Sequence, residues 1–306
     1  MTVESSKPCG GSLWAKAAFC LGLLWSLGGW VGLPGQGTAL AACPDAALIA
    51  ATAEGFLARK PVPGYGAALT VEDAYCAQDK YVALLGKQLG PRIGYKIAFA
   101  GKAAQERFGV KEPARGVLFR SMILKSGSTV DPKFGVRGIF EPDLIVTVKD
   151  AGINDAKTPL DAAKHLDEVV PFFELPDLII AEGATVNGPN IIAINAAARF
   201  GVEGKGVKVQ PTQAFVDAFA RMEAVLIDDT GKERARTKGE TLMGNPLNAL
   251  LWLIDSLRRS GQRMEPGDHI SLGALGAILQ PEPGRSFVMR YEGLPGGTPE
   301  VAVSFK

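Results

Sequence analysis

Three acids in this chain sit where acids are expensive. In "RGIFEPDLIVTVKD", residues 137–150, Glu141 and Asp143 open an apolar, β-rich run, and in "VVPFFELPDLII" Glu174 follows two phenylalanines. On a strand, residues i and i+2 point to the same face, so Glu141 and Asp143 project side by side. Pro142 between them cannot donate to a ladder, which marks an edge, a bulge or a strand start. Neighbouring carboxylates repel unless a cation lies between them or one holds a proton. An all-oxygen set of this kind suits Mg²⁺, Mn²⁺ or Ca²⁺. The competing reading places each acid at a solvent-exposed strand end. The chain has only two histidines, so a hard-metal site would be built from Glu141, Asp143 and Glu174.

The elements around these acids can be read from spacing. "CPDAALIAATAEGFLARK" carries apolar residues at helical intervals, and Thr70 with Asp73 forms a capping box for a second helix that stops at Gly86 or Gly90. Strands are expected in "RIGYKIAFA", "IFEPDLIVTVKD", the segment from Val169, "GDHISLGALGAIL" and the last twenty residues. "MEAVLIDDTGKERART" reads as a hairpin, and Asn245, Pro246 and Gly261 bound a helix with Leu247, Leu250, Leu251, Ile254 and Leu257 on one face. Regular helices do not alternate with the strands. The pattern therefore predicts an α+β fold around a large bent sheet, not a doubly wound one.

Length and composition bound the rest. The chain has 306 residues, 47% hydrophobic and 21% charged, which suits a sizeable core. Its net charge of +1 supplies no field for nucleic acid. Lys7 and Lys16, the apolar run 17–33 and Ala39-Leu40-Ala41 read as a secretory signal cut after Ala41, with a retained membrane anchor as the alternative. Residues 1–42 are thus expected to be removed. The exported chain would be periplasmic or secreted, with a helical segment over 43–92 continuous with a mixed-β catalytic domain over 93–306. Leu40-Ala41-Ala42-Cys43 also matches a lipoprotein box that would lipidate Cys43. Otherwise Cys43 and Cys76 form a disulfide in an oxidising compartment or remain free thiols.

Several runs, in order, resemble the 2-keto-4-pentenoate hydratase family of the fumarylacetoacetate hydrolase superfamily. They are "GYKIAFAGKAAQERFGVKEPARGVLF", "GIFEPDLIVTV", "VVPFFELPDLII", "IIAINAAARFGV" and "GETLMGNPLNALLWLIDSLRRSGQRMEPGDHISLGALGAI". The resemblance extends from about residue 45 to 306. It implies a bent mixed β-roll with flanking helices, like the C-terminal domain of fumarylacetoacetase. It also implies a divalent metal, Mg²⁺ or Mn²⁺, on Glu141, Asp143 and Glu174, with Asp143 one methylene shorter than the family's glutamate. Lys96 matches a family lysine that steadies substrate charge or relays a proton.

The implied reaction is that of a hydratase-like lyase: the metal stabilises the enolate of a small 2-keto acid and water adds to the conjugated system. The implied partners are that acid and further copies of the chain in a homo-oligomer, with no stable membrane insertion after cleavage. Polar positions of the family pattern are replaced here by Ala100, Ala114, Ser121, Ile194 and Leu272, while Arg115, Arg120 and Arg199 appear nearby. Arg115, Arg199 and Asn195 are therefore expected to bind substrate, the arginines through an added carboxylate. The same departures leave room for a C–C hydrolase, a decarboxylase, or an exported protein that binds a metal or small acid without turnover.

Overall fold

A computed structural model describes residues 43–306, which pack as one compact unit. The expected signal segment, residues 1–42, lies outside the described residues. Local signals set the first two helices. Ala46–Leu57 is capped by Asp45, whose carboxylate accepts from Ala47 N at 2.6 Å. Val71–Leu89 is capped by Thr70 through Asp73 N at 3.1 Å, and Gly90 with φ 83° ends it. Cys43 is bonded to Cys76 on this second helix, with Cα atoms 5.5 Å apart. This pairing is the disulfide that the sequence reading offered for Cys43 and Cys76.

Among the described residues the strands form two sheets. The eight-stranded sheet runs Ala114–Phe119, Arg92–Ala98, His269–Ser271, Glu141–Val148, Leu166–Leu175, Phe200–Glu203 and Ile123–Lys125, with Val207–Lys208 also paired to Leu166–Leu175. The five-stranded sheet runs Glu233–Lys238, Glu223–Asp228, Ser286–Glu292, Glu300–Phe305 and Ser128–Val130. Parallel and antiparallel pairings mix in both.

The main core fills one face of the larger sheet. Leu144, Val146, Val148, Val169, Phe173 and Leu175 point into it and meet Leu247, Leu250, Leu253, Ile254 and Leu257 of helix Pro246–Arg259. A second cluster joins the two N-terminal helices to helix Gly188–Ala193 through Phe56, Tyr81, Leu85, Ile191 and Ile192.

Three differences from the sequence reading have physical reasons. The central strand starts at Leu166, not Val169, because Leu166 already pairs with Val148. Helices Lys102–Phe108, Gly188–Ala193 and Gln213–Arg221 were not expected; the first two are too short for a periodic signal. The strands divide between two sheets where one was expected.

The face of the large sheet opposite the main core is concave. His269 Nδ1 comes within 3.2 Å of Glu203 Oε2, although two whole strands separate theirs. Flat strands would hold them roughly 14 Å apart. Lys96 and Glu174 also meet across two intervening strands.

Candidate active site

The acids occupy this concave face. Glu141, Asp143 and Ile145 alternate onto it while Pro142, Leu144 and Val146 face the other way. The antiparallel register sets Glu141 opposite Glu174 and Asp143 opposite Phe172. All three acids are buried, as is Lys96, 3% exposed. The exposed-strand-end reading is thereby excluded.

The Lys96 ammonium donates to Glu174 Oε1 and, at 2.9 Å, to the carbonyl of Ala196. Asp143 is saturated. Its Oδ2 accepts from Ser271 Oγ at 2.6 Å, and its Oδ1 accepts from Leu144 N at 2.5 Å and Gly273 N at 3.1 Å. The Tyr291 hydroxyl, from the smaller sheet, donates to the Asp143 carbonyl.

Burial with too little positive charge weakens these carboxyls as acids. Desolvation first, then the Glu174 carboxylate, hold the Glu141 carboxyl well above the ordinary range. The same two causes push Asp143 up to about 7, against the opposing hydrogen bonds from Ser271 and Leu144.

An unusual backbone segment completes the site. Asn195, Ala196 and Ala197 have φ of 60°, 52° and 58°, in a region costly for residues with a Cβ. Asn195 makes this possible by using its side-chain amide as a strand partner. It accepts from Val117 N at 2.7 Å and donates to Val117 O at 2.9 Å. Gly116 is required beneath the segment, because a Cβ there would lie 2.7 Å from Asn195 O and 3.1 Å from Ala196 Cβ. The turn thereby aims the Ala196 carbonyl at Lys96.

Lys96 and Glu141 form the polar end of a cavity of about 340 Å³. Its walls include Phe99, Phe108, Ile139, Leu178, Ile191 and Ile278. The structure does not bring Arg115, Arg199 or Asn195 to this cavity, and their expected role as substrate ligands is revised. Arg115 alternates to the other face of its strand. There it lies over the Tyr75 ring at 4.2 Å, donates to Ser256 at 3.2 Å and opens on a separate recess with Asp79 and Tyr95. Arg199 is buried against Asp177 at 2.7 Å and the Phe56 carbonyl at 2.7 Å. Asn195 is spent on Val117.

Of the five replaced positions, Ala100 lines the cavity. Ala114 and Ile194 pack in the helical cluster, Leu272 packs in the main core, and Ser121 is exposed. Sequence reasoning missed Ser271 and the Ala196 carbonyl; both act through strand register and backbone shape, which leave no local signature.

The charge balance tests whether a divalent cation suits these residues. Three carboxylates and one ammonium are buried together, with two carboxyls held above their usual range, so the group lacks positive charge. A divalent ion would supply it. As the side chains stand, no three acids, histidines or cysteines among the described residues surround one point. Lys96 occupies Glu174, and Asp143 is turned to Ser271.

Relatives of this chain align along most of its length. It is 28% identical over 257 residues to 2-keto-4-pentenoate hydratase 2 of Dechloromonas aromatica, covering 82% of this chain and 94% of that protein. It is 26% identical over 227 residues to the TodF product hydratase of Pseudomonas putida, covering 73% and 81%. The chain is thus similar to 2-keto-4-pentenoate hydratases over most of its length. No family model matches it. Its fold is shared with 4-oxalocrotonate decarboxylase from Pseudomonas putida G7, solved with magnesium and adipate. The TM-score is 0.72 at 21% identity, over 85% of this chain and 97% of that one.

Proposed function

We propose that the protein is a divalent-metal-dependent, hydratase-type lyase acting on a small 2-keto acid or its dienol. The observation that carries this reading is the pairing of Lys96 and Glu141 at the end of an otherwise apolar cavity, backed by Glu174 and Asp143. Glu141 and Glu174, opposed across the ladder, with Asp143 beside them, would hold Mg²⁺ or Mn²⁺. When bound, such an ion supplies Lewis acidity toward the negative charge of an enolate.

The chain's own groups do the rest. The Lys96 ammonium, fixed by Glu174 and the Ala196 carbonyl, presents a positive charge to the substrate's carboxylate or oxo group. The Glu141 carboxyl, held well above its ordinary range by burial and by Glu174, gives up its proton when it takes the ion. The apolar walls exclude bulk water and strengthen both interactions.

A second reading is binding without turnover. It is favoured by the absence of a hydroxyl or amide side chain among the described lining residues, which leaves none to orient an attacking water. The mature protein with Mn²⁺ and 2-hydroxypenta-2,4-dienoate separates the two. Loss of the dienoate's ultraviolet absorbance supports the lyase. Tight binding by thermal shift with no turnover supports the second reading, and neither result refutes both.

The proposal extends to export. The Cys43–Cys76 disulfide supports it, since such bonds persist in oxidising compartments. Among the described residues no helix is long and apolar enough to cross a membrane. The fusion of residues 1–60 to a reporter that is active only outside the cytoplasm tests the leader. Sedimentation of the mature protein tests the homo-oligomer that the family resemblance implies.

A further inference from the structure

We propose that the recess around Arg115 is a binding site for a small monocarboxylate, separate from the catalytic cavity.

Arg115, on strand Ala114–Phe119, is 5% exposed and lines a recess of about 490 Å³. Among the described residues none lines both this recess and the cavity at Lys96 and Glu141. Neutral groups hold the guanidinium in place. It lies over the Tyr75 ring at 4.2 Å, and its Nη1 donates to Ser256 Oγ at 3.2 Å. Arg199, equally buried, has the Asp177 carboxylate at 2.7 Å; among the described residues Arg115 has no such partner. A buried cation without a counter-ion is costly, and the face of an aromatic ring offsets only part of that cost. An anion taken from solution would supply the rest.

The chemistry of that anion follows from the donors and the charges. Ser256 takes Nη1, which leaves the Nε–Nη2 edge for a ligand. That edge is a planar fork matched to the two oxygens of a carboxylate. The other charges of the recess are already balanced. Arg92 is shared between Asp268 at 2.7 Å and Glu265 at 3.3 Å, and Arg263 and Asp79 both stand exposed at the rim, one of each sign. One negative charge is therefore missing. A monoanion completes the balance, whereas a phosphate dianion would bring an excess of negative charge beside Asp79 and Glu265. Val82, Ala83 and Val117 give the recess an apolar side, which suits a short hydrocarbon body behind the carboxylate.

The test uses the metal-free full-length mature protein, with butyrate as the probe and the Arg115 Nε–H resonance as the readout. That signal is assigned by its loss in Arg115→Lys. Butyrate is expected to shift it saturably, and at lower concentration than chloride or inorganic phosphate. A shift that does not saturate, or that chloride reproduces at equal concentration, reveals a general ionic effect and overturns the site. Tighter binding of phosphate overturns the monocarboxylate assignment.

Two variants at exposed Ala83 leave Arg115 and its neighbours in place, so they test the charge argument without disturbing the fold. Ala83→Glu should weaken butyrate at least threefold, and Ala83→Lys should strengthen it. Equal butyrate affinities in the two variants would place the ligand elsewhere and overturn the proposal.

Discussion

Lys96 and a metal ion compete for the same negative charge. The ammonium is held by Glu174 and by the Ala196 carbonyl, where it offsets one of three buried carboxylates. Lys96→Met should therefore separate two properties. Turnover with Mn²⁺ should fall at least ~100-fold, the low end of what a positioned proton-transfer group contributes. Mn²⁺ affinity, read by calorimetry, should rise, because Glu174 is released. Acidity gives a second prediction. Between the ordinary aspartate value of 3.8 and about 7, the folded chain keeps a proton on Asp143 that the unfolded chain has lost. The folded state then binds more protons than the unfolded one, so stability of the metal-free protein declines as pH rises through that window and levels off above it. Glu141, shifted the same way, adds to the decline. A divalent ion removes the repulsion and must displace the protons to bind. The rise in Tm on adding Mn²⁺ should be larger at pH 8 than at pH 5.5; equal rises would refute cation binding at these acids.

The left-handed turn 195–197 works as an element in its own right. Three consecutive residues hold a conformation unfavourable to L-amino acids, and Asn195 is what holds them. Asn195→Ala should leave the Val117 N–H and C=O unpaired against the protein and release the turn. The expected loss is about 3 kcal/mol of stability in urea denaturation, from two polar groups at about 1–3 kcal/mol each. Any folded fraction should show a weakened response of activity to Lys96, since Ala196 O would no longer be aimed at Nζ. Edge-strand coverage depends on the same neighbourhood. Gln78, on helix Val71–Leu89, donates to both the Arg115 and Ile192 carbonyls at 2.8 Å, so one side chain ties the outer strand of the large sheet to helix Gly188–Ala193.

At the scale of the molecule, two cores and one covalent link hold the site rigid. The N-terminal helices brace helix Gly188–Ala193 and, through it, the turn at Lys96. The Cys43–Cys76 bond ties the start of the described chain to that brace across a separation of 33 residues. Cys76→Ser should cost about 3–4 kcal/mol by loop closure. At the usual sensitivity of a domain this size, that lowers Tm by roughly 10 °C. The same drop on mild reduction of the wild type, and none in the variant, would assign the effect to the disulfide.

Much of this architecture is legible in the sequence because it is local. Caps at Thr70 and Asn245 and the alternation that puts Glu141 and Asp143 on one face depend on neighbours within a few residues. So the sequence alone determined that acids enter a strand side by side, where the main helices begin, and which family pattern the chain follows. Only the tertiary structure decided what those acids meet. That Glu174 lies opposite Glu141, that Ser271 captures Asp143, and that Arg115 and Arg199 are turned away follow from strand register and sheet curvature. Register joins residues far apart in the chain, and shifting it by one residue reverses the face of every side chain, so no short stretch of sequence encodes it.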